Sequence, residues 1–174
     1  MRRTCVGVMG GAATDPKTAA GATELGRLIA ENGWVLVSGG RPTGVMQASV
    51  TGAHEAGGLT VGVLYDDDPK LAAVGLDIVI PTGMGAGRNI INVLSSDVVV
   101  ACRGTGGTLS EIAMALRVGR PVVLLDFDPG ADFLNAGAAD GRWVLAATPA
   151  EAVARVREYL ADQLAAENND KAGL

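Results

Sequence analysis

Nine consecutive residues, Arg103-Gly104-Thr105-Gly106-Gly107-Thr108-Leu109-Ser110-Glu111, gather glycines, hydroxyls, a cation and a carboxylate. They follow an apolar, strand-like run at 97–102 and lead into a helical pattern that begins Ile112-Ala113-Met114. A glycine-rich turn between a buried strand and a helix start suits an anion. The glycines let backbone approach a ligand, and the free amides of the helix N-terminus point at negative charge. Three more glycine-bearing loops carry Gly10-Gly11, Gly39-Gly40-Arg41 and Gly85-Ala86-Gly87-Arg88-Asn89. Arg88 stands where a helix begins, and there the dipole disfavours a cation, so an anion beside it is expected. The candidate phosphate ligands are therefore Gly10, Gly11, Gly39, Gly40, Arg41, Arg88, Asn89, Arg103, Gly104, Thr105, Gly106, Gly107, Thr108 and Glu111.

Glu111 has two readings. Thr108-Leu109-Ser110-Glu111 is a capping-box pattern, in which Thr108 and Glu111 satisfy each other's backbone amides. Alternatively Glu111 is a carboxylate beside a bound sugar. The two can coexist. Arg41 and Arg103 are ambiguous between ligand contacts and surface residues.

Other chemistries lack their parts. Gly7, Gly10 and Gly11 do not form a dinucleotide fingerprint, and the second strand ends in Ser38-Gly39-Gly40 where an acidic residue would hold a ribose. There is no Gly-x4-Gly-Lys-Ser/Thr run. His54 is the single histidine, reads as a surface or packing residue, and leaves Ser38 and Ser110 without a triad partner. Asp66-Asp67-Asp68 reads as a solvated loop, and no metal site is expected.

The elements that must position these residues alternate along the chain. Strands are expected at 5–9, 34–37, 59–64, 77–80, 97–102, 121–125 and 143–146. Helices are expected at 16–32, 44–56, 88–95, 110–118 and 149–166, with 126–142 irregular. Such alternation gives an α/β fold, a parallel sheet with helices on both faces. Ligands of these sheets sit beyond the carboxyl ends of the strands, near the point where strand order reverses. All four glycine-bearing loops fall at that edge.

The chain has 174 residues, 48% hydrophobic and only 3% aromatic, which makes one domain with an aliphatic core. Residues 1–166 are read as that domain and 167–174 as a polar tail. A net charge of −5 argues against nucleic acid as a partner. Cys5 and Cys102 lie in strand-like runs and read as core. No apolar run approaches the ~20 residues of a membrane span, and the N-terminus is too interrupted for a signal peptide. A cytoplasmic protein without a membrane partner is expected. The helices at 88–95 and 110–118 carry more apolar residues than one buried face requires, so a homodimer or a tetramer of dimers is expected through them.

Three motifs together, Ser38-Gly39-Gly40 with Gly44-Val45-Met46, Gly87-Arg88-Asn89, and 104–111, resemble the Lonely Guy-like Rossmann superfamily, whose members were often labelled "possible lysine decarboxylase". The likeness spans 4–146 and is closest to the branch of molybdenum cofactor carrier proteins. It implies a single-domain Rossmann-like fold and a small phosphate ligand, either a nucleoside monophosphate or a molybdopterin-type pterin; no cofactor is expected to be required. The cytokinin-activating branch cleaves the N-glycosidic bond of nucleoside 5′-monophosphates, and that resemblance would make Arg88 and Glu111 catalytic. Gly104, Gly107, Thr108 and Glu111 match its signature, Arg103 and Thr105 depart from it, and Arg88 lacks the flanking residues. A decarboxylase has no recognisable pyridoxal-phosphate lysine here, the lysines being Lys17, Lys70 and Lys171.

Overall fold

In the computed structural model, which describes residues 2–137 and 142–172, short β-branched runs form a seven-stranded parallel sheet. The strands are β1 (Cys5–Met9), β2 (Val35–Ser38), β3 (Thr60–Leu64), β4 (Ile78–Pro81), β5 (Val98–Ala101), β6 (Val122–Leu125) and β7 (Trp143–Ala146). Their order is β4-β3-β2-β1-β5-β6-β7, and each adjacent pair is parallel. The order reverses between β1 and β5, which pair from Val6–Val98 to Met9–Ala101.

Among the described residues six α-helices cover the two faces: α1 (Pro16–Glu31), α2 (Gly44–Glu55), α3 (Asn89–Leu94), α4 (Gly106–Arg117), α5 (Ala131–Gly137) and α6 (Pro149–Ala172). Period-two alternation sorts the strand residues between them. Val98, Val100 and Cys102 pack with Leu25, Ile29, Val50 and Val153 of α1, α2 and α6. Val99 and Ala101 pack with Val93, Ile112, Leu116 and Leu134 of α3, α4 and α5. Val98, Val99 and Val100 are all fully buried, as a central parallel strand requires. Burying each such side chain contributes about 1.5–3 kcal/mol.

Local chemistry sets several helix ends. The Thr18 amide donates to Asp15 Oδ1 at 2.8 Å, and Pro16 opens α1. At α6 the Glu151 amide donates to Thr148 Oγ1, and the Ala147 amide donates to Glu151 Oε2, a capping-box arrangement shifted one residue back.

Four expectations from the sequence are corrected. The helix after β5 begins at Gly106 with Thr105 as its cap, so Thr108 and Glu111 lie inside it and do not form a capping box. Arg88 closes a 3₁₀ turn at Gly85–Arg88, and α3 begins at Asn89. Part of the span read as irregular is α5, pinned by the fully buried Leu134; residues 138–141 of that span lie outside the described residues. The final helix runs on to Ala172, through most of the segment read as a polar tail.

Much of the surplus apolar surface on α3 and α4 is used within the subunit. Val93, Ile112, Ala115 and Leu116 are fully buried. Leu94 and Val118 remain exposed, as do Met84 and the β4 residues Ile78 and Ile80.

Candidate functional site

The strand-order reversal opens a crevice above β1 and β5. The Cys102 amide donates to the Met9 carbonyl at 2.8 Å and the Gly11 amide to the Arg103 carbonyl at 3.1 Å. The Val45 amide, in the first turn of α2, donates to the Gly11 carbonyl at 3.0 Å. These bonds tie three loops into one rigid floor. Gly104 is needed for that closeness, since a Cβ there would lie 2.0 Å from Thr108 Oγ1. The first amides of α4 have no partner within the helix.

The resulting cleft, about 190 Å³, is lined by Gly10, Gly11, Gly39, Met46, Tyr65, Arg88, Asn89, Thr105, Gly107, Thr108 and Glu111, with Val8, Met9 and Ala12 beneath. Arg88 is its main cation and is only 8% exposed. Its Nη1 donates to Glu111 Oε1 at 3.3 Å, a long contact for an ion pair. Its Nε is buried and has no acceptor. Its Nη2 lies against Gly39, where a Cβ would come within 2.6 Å, so glycine at position 39 is what lets the guanidinium sit there.

Glu111 is equally enclosed, 6% exposed. Asn92 Nδ2 donates to the same Oε1 at 3.0 Å, leaving the buried Asn92 Oδ1 without a donor. Asn89 Nδ2 donates to Ser110 Oγ, which in turn donates to the Gly107 carbonyl. A polar seam thus joins α3 to α4 beside the cleft. Burial lowers the Arg88 guanidinium from its usual value, against the opposing pull of Glu111, Tyr65 and Asp66. Burial raises the Glu111 carboxyl above the usual carboxylate range, with the Asn92 bond and Arg88 opposing. Desolvation dominates at both residues because neither has enough compensating contacts. The arrangement is a buried, under-satisfied cation beside a helix N-terminus, which suits an anionic ligand.

Some sequence candidates stand outside this lining. Arg41 pairs with Asp66 at 2.6 Å and lies 4.7 Å from the Tyr65 ring centroid. Arg103 lies 5.9 Å from the Phe127 centroid and borders an adjoining recess with Ala13, Thr14, Asp15, Gly104 and Thr105. Gly40 packs on Gly62 of β3, and Gly106 opens α4. His54 is exposed on α2 and does not line the cleft. Asp68 caps a turn through the Lys70 amide, and among the described residues no cluster of histidine, cysteine or carboxylates is placed to hold a metal ion.

Sequence reasoning missed Met46, Tyr65 and Asn92. Asn92 had a readable signal: it lies three residues after Asn89 and four after Arg88, and so shares their helix face.

A second recess, about 250 Å³, lies at the same sheet edge between α1 and α6 and includes Cys102 and Leu125. Its charged groups, Lys17 and Asp126, pair with each other. Burial pushes the Cys102 thiol up to about 12, so it stays protonated and unreactive. No described helix is long and apolar enough to cross a membrane.

Fold and site together define a single-domain Rossmann-like protein of the Lonely Guy-like superfamily, with its crevice at the topological switch point. The chain belongs to the SLOG cluster4 family, which matches residues 3–153, and to the branch of that superfamily that holds the molybdenum cofactor carrier proteins. The molybdenum cofactor binding protein from Rippkaea orientalis is 42% identical, with a TM-score of 0.86 over 92% of this chain and 99% of that one. The molybdenum cofactor carrier protein from Chlamydomonas reinhardtii is 44% identical, with a TM-score of 0.82 over the same shares. A cytokinin riboside 5′-monophosphate phosphoribohydrolase of Mycobacterium tuberculosis is 35% identical over 117 residues, 60% of each chain.

Proposed function

We propose that this protein binds and carries a small phosphorylated ligand, a molybdopterin-type pterin or a nucleoside monophosphate, at the β1–β5 crevice. One observation carries this reading: Arg88, almost wholly buried, keeps a buried Nε without an acceptor and only a long contact to Glu111. An unsatisfied buried donor of this kind is costly, and a ligand phosphate would relieve it. The α4 N-terminus with Thr105, Gly107 and Thr108 would take the remaining phosphate oxygens. The likeness to two molybdenum cofactor binding and carrier proteins supports the carrier role. The proposal includes a cytoplasmic location, and a homodimer or tetramer joined near α3 and α4, where Leu94 and Val118 stay exposed.

A hydrolytic reading has one observation in its favour. Glu111 borders the cleft within 3.3 Å of Arg88, so a carboxylate stands where a cationic sugar or a water could be stabilised. Calorimetry and product analysis with AMP, GMP and a phosphorylated pterin separate the two. Binding at micromolar levels without released base supports the carrier. Steady release of base from a monophosphate establishes the hydrolase.

A further inference from the structure

The cleft that holds Arg88 is also lined by an aromatic ring and a thioether. Beside Arg88, whose Nη2 lies against Gly39, stand Met46 and Tyr65. The chain holds two tyrosines, two tryptophans and two phenylalanines, and Tyr65 is the one aromatic among the described residues that line the cleft.

Tyr65 is held from several directions. Its carbonyl accepts from the Gly85 amide at 3.1 Å, and the next carbonyl, of Asp66, accepts from the Gly83 amide at 3.0 Å. One face of the ring is covered by the Arg41 guanidinium at 4.7 Å. Arg41 is itself fixed by Asp66 at 2.6 Å. The residue nevertheless remains 40% exposed. With one face covered by Arg41, a ligand would have the other face to stack on. The partly polarisable Met46, with its sulfur against Gly39, shares the lining.

We propose that Tyr65 is a specificity-determining residue, a stacking platform for a planar heterocycle whose phosphate lies at Arg88 and the α4 N-terminus. This rests on the phosphate-binding reading given above. An aromatic ring recognises a flat π-system with little dependence on its substituents. A ring immobilised beforehand loses little freedom when a ligand stacks on it. The Arg41–Asp66 pair therefore acts through Tyr65 and does not itself touch the ligand. The expected ligand class is a phosphorylated purine or pterin, as against a bare sugar phosphate.

The test uses the full chain and three probes, AMP, GMP and ribose 5-phosphate, titrated by calorimetry. Wild-type protein should bind at least one nucleotide more tightly than ribose 5-phosphate. Tyr65→Ala should weaken that nucleotide by about tenfold or more and leave ribose 5-phosphate unchanged, while Tyr65→Phe, which keeps the ring, should retain wild-type affinity. Equal wild-type affinity for nucleotide and sugar phosphate overturns the proposal, as does an equal loss of both, or a loss of neither, in Tyr65→Ala. Wild-type protein that binds none of the three overturns the phosphate-binding reading and this inference with it.

Discussion

Arg88 Nη1 stands 3.3 Å from Glu111 Oε1, and both side chains are more than nine-tenths buried. A buried ion pair this long does not recover the cost of desolvating its two charges. Asn92 also donates to Oε1, and the surrounding seam joins α3 to α4, but Arg88 Nε still has no acceptor. The pair is therefore poised for a third, anionic partner.

Replacing Arg88 by alanine should lower ligand affinity by at least about tenfold, since a charge-assisted hydrogen bond is worth roughly 1.5–3 kcal/mol. His54→Ala, on the exposed part of α2, should leave affinity unchanged. Titration of both variants with AMP or a phosphorylated pterin checks this, and equal affinities would sink the assignment.

Two glycine variants should move stability and binding in different combinations. Gly39→Ala places a Cβ 2.6 Å from Arg88 Nη2 and 2.9 Å from Met46 Sδ, so both the melting temperature and the affinity should fall. A Cβ on Gly107 meets nothing within 4 Å, and alanine is the better helix former by up to ~1 kcal/mol. Gly107→Ala should therefore melt no lower than wild type, yet bind ligand more weakly, because its methyl occupies the cleft. Thermal melts run beside calorimetry read both quantities.

Binding should take up protons through Glu111. Its carboxyl is already raised by burial, and a phosphate nearby would raise it further, because two anions repel. The bound state then holds more protons than the free state, so affinity climbs as pH falls from neutral toward the raised carboxyl value. Glu111→Gln lacks this component. Calorimetry in buffers of different ionisation enthalpy should show greater proton uptake for wild type than for Glu111→Gln. Identical uptake would place the ligand away from Glu111.

Light scattering at micromolar concentration should give the mass of a dimer or tetramer. Leu94→Glu combined with Val118→Glu puts charge on the exposed apolar positions of α3 and α4 and should shift the mass toward monomer. A monomeric wild type would refute the assembly.

The strand–turn–helix rhythm was readable because glycine turns and β-branched runs are local signals. So was the placement of the glycine loops at one sheet edge. The start of α4 was misplaced for a physical reason. Gly106 and Gly107 have poor intrinsic helix propensity, so the local pattern favoured a loop, whereas packing of Ile112, Ala115 and Leu116 and of Thr108 against Gly104 extends the helix back over them. Tyr65 was hidden because its neighbours Asp66, Asp67 and Asp68 mark a solvated loop. Only the fold shows that Arg41 and Asp66 turn one end of that loop toward the cleft. Helix α5 lacked any period, and a single buried anchor, Leu134, decides it.

The pairing of β1 with β5, from Val6–Val98 to Met9–Ala101, joins segments separated by three other strands in the chain. Contacts so remote in sequence form slowly, after the nearer strand–helix–strand crossovers have been sampled. The crevice is therefore complete only when the β1 and β5 loops have met. Ligand should accordingly report on completion of the sheet. Amide-exchange protection gained on binding should spread along β1 and β5 to the N-terminal strand ends, well away from the loops that touch phosphate, because opening the crevice means parting the two central strands.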